Sequence, residues 1–210
     1  MNKKTKKVLL EFVIMLIIYS FNDKTLIIGF LWIILHEITH IIIAKHYGAS
    51  LSDFEVNLTG AKIKLKNIEE LDRSKKCIIY FSGPLFNLFM YIIFLILTKF
   101  NIISFCESMG INLGLFIFNM FPAYPLDGAR IYEILLSKKF SCKKSKTILI
   151  NISYVFSALL IFIFLLITFI HKVNISLLVT SILITYSTWI EKSNAVDNRV
   201  LEEFLKQGKK

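Results

Sequence analysis

Residues 148–170 include no charged side chain. A run of that length can cross a hydrocarbon core of about 30 Å as one helix, since a crossing takes about 20 residues. Lipid offers no partner to backbone N–H and C=O groups, so such a segment must satisfy them internally as a helix. Further apolar runs lie at 6–21, 25–47, 77–98, 102–121 and 173–190. The run at 6–21 is short and holds Glu11, and Lys6 and Lys7 could extend it by snorkelling. The run at 102–121 is weakened by Glu107, Asn112 and Asn119. With 55% hydrophobic residues the chain is too apolar for an ordinary soluble domain. The expected fold is an all-α polytopic membrane protein of about six transmembrane helices, forming a single domain over 1–210.

Charge agrees with this reading. The net charge of +10 does not imply nucleic acid, because the cations cluster between the apolar runs. With the N-terminus inside, every Lys and Arg except Lys24, Lys99 and Lys172 falls on one side. That asymmetry predicts a multi-pass protein of the cell membrane with both termini cytoplasmic. The basic start followed by an apolar run mimics a signal peptide, but Ser20–Lys24 offers no small-x-small cleavage site, so it reads as an uncleaved span. Cys77, Cys106 and Cys142 are scattered and read as reduced thiols. The polar tail holds a short helix at 196–205.

Between the second and third runs the period changes to two. Phe54, Val56 and Leu58 alternate with Asp53, Glu55 and Asn57, and Ala61, Ile63 and Leu65 alternate with Lys62, Lys64 and Lys66. Around Thr59-Gly60 this predicts a β-hairpin. Such a hairpin either rests its apolar face on the membrane surface or offers a strand edge to an extended peptide.

The second run contains His36-Glu37-Ile38-Thr39-His40. On a helix the two histidines, four apart, share a face and can hold a zinc ion, and Glu37 beside them can accept a proton. Inside an apolar span these residues are costly and read as functional by default. A zinc site needs a third protein ligand. His46 has metzincin-like spacing, but Ile41-Ile42-Ile43-Ala44 should continue the helix and carry it off the metal face. Asp127, in Asn119-Met120-Phe121-Pro122-Ala123-Tyr124-Pro125-Leu126-Asp127-Gly128, is the better candidate. Two prolines three apart break the helix, and the segment either lines a cavity or is a plain turn at the membrane edge. In Ser82-Gly83-Pro84-Leu85-Phe86-Asn87, small residues allow close helix approach, and Asn87 either holds substrate backbone or orients the site.

Together these three stretches resemble the site-2 protease family of intramembrane zinc metalloproteases, peptidase family M50. The match is carried by His36, Glu37 and His40, by Ser82, Gly83, Pro84 and Asn87, and by Asn119, Pro122, Pro125, Leu126, Asp127 and Gly128. It covers about residues 25–135, the expected catalytic core, and includes the hairpin. Thr39 stands where the family commonly has Gly, and the hairpin turn also departs from the family pattern. With six spans, no PDZ domain and no CBS domain, the pattern is most similar to the sporulation branch.

The resemblance implies zinc held by His36, His40 and Asp127, with Glu37 as the catalytic base. It implies substrate contacts by Asn87, Asn119 and Pro125, and a hairpin that keeps the unwound substrate extended. It also implies a membrane-associated protein substrate such as a pro-sigma factor, and inhibitory membrane protein partners. The rival readings are a metal-ion transporter and a catalytically silent membrane scaffold.

Overall fold

The computed structural model describes residues 24–57, 60–66, 71–102, 107–170 and 175–207. Among them are six helices: α1 (Lys24–His46), α2 (Arg73–Lys99), α3 (Glu107–Asn119), α4 (Asp127–Leu136), α5 (Cys142–Ile170) and α6 (Ile175–Gln207). Strands β1 (Ser50–Asn57) and β2 (Gly60–Lys66) pair in a two-stranded sheet. The expected span at 6–21 lies outside the described residues.

Three of these helices, α1, α2 and α5, are long and apolar enough to cross a membrane. Within the run at 102–121 the described residues form α3, 13 residues long, about 20 Å at 1.5 Å per residue, and residues 103–106 lie outside the described residues. Pro122 and Pro125 keep the chain out of helix between α3 and α4. The expected sixth span and the separate tail helix are one continuous helix, α6, 33 residues long. Its second half is polar without any Gly or Pro to stop it, so the helix runs on past the apolar part.

The chain divides into two compact units, residues 1–53 with 63–119 and residues 54–62 with 120–210. In the first, α1, α2 and α3 pack on one another. Trp32 of α1 meets Phe86 and Phe94 of α2 at ring separations of 6.2 and 5.7 Å, while His40 further along α1 meets Ile79 earlier in α2, so the two helices run antiparallel. The Thr25 hydroxyl donates to Glu107 at 2.9 Å, which ties the start of α1 to the start of α3. α1 ends on Gly48, whose φ of +83° suits a residue without Cβ. There Ala49 N–H donates back to Ala44 C=O at 3.0 Å. Ala44 and Ala49 are then buried against Ile79 of α2.

In the second unit, α5 packs on both α4 and α6. Tyr124, Ala129, Leu149 and Ile150 form its buried apolar cluster. Glu191 of α6 pairs with Arg130 of α4 and, at 2.9 Å, with Lys146 of α5. Large apolar side chains such as Phe162, Leu165 and Phe169 lie exposed on α5. On a membrane-length helix that is the surface lipid would cover.

Candidate metal centre

The i, i+4 spacing of His36 and His40 puts both imidazoles on the face of α1 that meets α2. The two Nε2 atoms point at each other, 3.1 Å apart. Each Nδ1 faces an oxygen: Asn87 Oδ1 for His36, and the Ile79 carbonyl at 2.7 Å for His40. These oxygens accept hydrogen bonds, so each ring is held with its proton on Nδ1. Two Nε2 lone pairs therefore converge, an arrangement that repels until a cation sits between them.

Zinc–nitrogen bonds of 2.0–2.1 Å at a tetrahedral angle place two nitrogens about 3.3 Å apart. The donor set and its spacing fit zinc, and the hydrogen-bonded far nitrogens match the way metal-binding histidines are usually oriented.

The sequence around α2 follows from this contact. A Cβ on Gly83 would lie 2.6 Å from His36 Nε2 and 2.7 Å from His36 Cε1. Only glycine lets the α2 backbone approach the imidazoles this closely. The Ser82 hydroxyl donates to the Ile79 carbonyl at 2.7 Å and lies 3.3 Å from His40 Nδ1. Pro84 sits inside α2 and is buried, and without an N–H it loosens the helix just past the carbonyl that His40 uses.

Asn87 has both ends of its amide engaged: Oδ1 takes the His36 proton, and Nδ2 donates to Asn112 Oδ1 at 2.8 Å. Of the two roles left open by the sequence, this placement matches orienting the site. Asn112 is fully buried on α3, whereas local sequence marks it only as a weakness in an apolar run. The available signal was the cost of a buried amide within such a run.

The remaining residues are placed as follows. Glu37 is half-buried on α1 beside His36, and Thr39 returns its hydroxyl to the Leu35 carbonyl at 2.8 Å. α1 continues through 41–44 as expected, and His46 is exposed at its end, packed edge-on against Tyr47. Asn119 donates to the Leu115 carbonyl at 3.1 Å, within α3. In the second unit Pro125 is exposed and follows a cis peptide bond. Asp127 opens α4, where the helix dipole favours a negative charge. A Cβ on Gly128 would lie 2.5 Å from the Met120 carbonyl oxygen, so the start of α4 can rest on the preceding turn only with glycine there. Tyr124 N–H donates to Ser153 Oγ at 2.9 Å and its hydroxyl to Glu133 at 2.7 Å, which anchors that turn to α5 and α4.

Membrane-length helices with a converging histidine pair define a multi-pass membrane protein built to hold a metal. Comparison with known proteins narrows the class. Peptidase family M50 matches residues 99–163. A zinc metalloprotease of Methanocaldococcus jannaschii is 32% identical over 133 residues, 60% of this chain. The match spans only 38% of that relative's length. The solved structure of a site-2 protease from Methanocaldococcus jannaschii aligns over 87% of this chain and 86% of its own, at 27% identity and a TM-score of 0.63. By these matches the chain is similar to peptidase family M50 and, in fold and sequence, to a site-2 protease.

Proposed function

We propose that this chain is an intramembrane zinc metalloendopeptidase that hydrolyses a peptide bond in or near the membrane segment of a regulatory protein. The observation that carries this reading is the convergence of two Nε2 lone pairs next to Glu37 on a membrane-length helix. His36, His40 and Asp127 would hold zinc. When bound there, zinc supplies Lewis acidity toward a peptide carbonyl and makes water more acidic.

The protein's own groups do the rest. The Glu37 carboxylate accepts a proton from the attacking water and returns it to the leaving amide nitrogen. The Nδ1 hydrogen bonds of His36 and His40 keep both rings in one tautomer throughout. Asn119 and Pro125 contact substrate backbone. A transmembrane helix hides its peptide bonds, so the substrate must unwind, and the β1–β2 edge would hold it extended.

The narrower reading is release of a sigma factor from its membrane-tethered pro-form, with inhibitory membrane proteins as partners and both termini cytoplasmic. It rests on the resemblance of the motif set to the sporulation branch and on the distribution of Lys and Arg.

Glu37→Gln tests the reading. Co-expressed with a membrane-tethered pro-sigma factor, the wild type should release a shorter product. The variant should cut at least ~100-fold more slowly while retaining zinc. Wild-type protein that moves zinc across vesicles and cuts no membrane substrate would reveal a transporter. A cellular role that survives Glu37→Gln would reveal a scaffold.

A further inference from the structure

Four groups form a chain of hydrogen bonds from the metal face into α3. His36 Nδ1–H donates to Asn87 Oδ1, Asn87 Nδ2 donates to Asn112 Oδ1 at 2.8 Å, and Asn112 Nδ2 donates to the Ser108 carbonyl at 2.8 Å. Asn87 and Asn112 are both fully buried and His36 is 3% exposed. All the bonds run one way. The last acceptor is a backbone carbonyl, which cannot become a donor, so it orients the Asn112 amide. That amide presents its oxygen to Asn87 and orients it in turn. Asn87 then has only its oxygen left to offer His36.

We propose that Asn112 is a positioning residue for the metal site. From α3, two hydrogen bonds away, it holds the Asn87 amide in the one orientation that keeps His36 protonated on Nδ1. His36 Nε2 is thereby kept as a bare lone pair on the metal side. Were Asn87 to turn its amide over, its NH2 would face Nδ1, and the ring proton would move to Nε2, where a metal ligand needs none. This inference rests on the reading of the histidine pair as a metal site. It adds a residue that belongs to none of the three motifs.

A double-mutant cycle separates positioning from packing. Asn87→Asp replaces the amide by a carboxylate, whose two oxygens are equivalent and which therefore needs no orienting partner. Zinc dissociation constants are read by competition with a chromophoric chelator on the purified full-length protein. Thermal unfolding of each metal-free variant monitors the fold.

Asn112→Leu alone should weaken zinc binding about tenfold or more, the size of effect that removing a histidine's orienting partner has. In the Asn87→Asp background the same substitution should change zinc affinity less than about twofold. An equal loss in both backgrounds would make Asn112 a packing residue and overturn the proposal, as would no loss in the wild-type background. A wild-type protein that binds no zinc would instead overturn the metal-site reading itself.

A second measurement needs no variant at position 112. Imidazole nitrogen-15 shifts of the metal-free wild type, assigned through His36→Gln, should show His36 protonated on Nδ1. A proton on Nε2 would refute the relay.

Discussion

Gly83 lies directly against His36: a methyl group in place of its hydrogen would sit 2.6 Å from the imidazole Nε2. At Gly83, α2 thus approaches α1 tightly at the Nε2 edge of the histidine. Packing and ligand geometry depend on the same missing side chain.

Gly83→Ala must push the His36 ring away or part the two helices. Overpacking of this kind costs about 1–3 kcal/mol. We expect a lower unfolding temperature in detergent and zinc binding weakened at least about tenfold. Chelator competition on the purified variant checks this, and unchanged affinity would mean that the ring relocates without loss.

Asp127→Asn keeps size but turns one carboxylate oxygen into an NH2 donor and removes the charge that the proposed third ligand supplies. Zinc affinity should fall by about two orders of magnitude or more, since the ligand itself is altered and not only its support. Binding equal to wild type would exclude Asp127 from the site and leave the pair in need of another third ligand.

In Gly128→Ala the nearest atoms to the new methyl group are backbone, the carbonyls of Met120 and Phe121, which no side-chain rotation moves. The first turn of α4 must move away from the turn before it. A loss of about 1–3 kcal/mol in stability is expected, read from denaturation midpoints of otherwise identical preparations. A midpoint within error of wild type would show that the turn accommodates the methyl group.

Glu191→Gln leaves Arg130 of α4 and Lys146 of α5 facing a neutral amide. The three side chains are 10%, 27% and 22% exposed, so solvent screens them only in part. Removing the shared anion should cost about 2 kcal/mol. Lys192→Gln on the same helix should cost little, its ammonium lying 5.9 Å over the Tyr154 ring. Thermal unfolding of the two variants side by side tests the difference, and equal effects would count against a special role for Glu191.

Some of this architecture can be read from neighbouring residues alone. The uncharged stretch at 148–170 requires a membrane-length helix because lipid satisfies no backbone group. His36 and His40 share a face because four residues make about one helical turn. Pro122 and Pro125 break the helix, since proline lacks the donor that a helix interior needs.

Local pattern misjudged where α6 ends, because the polar residues after its apolar run can still continue a helix. Nor could it show that the Asn112 amide reaches His36 through Asn87, or that Glu191 pairs with Arg130, 61 positions earlier. It marked Gly83 as a point of close approach without naming what approaches. Such pairings join residues far apart in the chain, and only packed helices bring them within hydrogen-bond reach. The types and spacing of the proposed ligands were thus determined by the sequence itself. Which nitrogen of each histidine is left free for the proposed metal was decided by tertiary structure, because the tautomer follows from the acceptor on the other side of the ring, and those acceptors come from another helix.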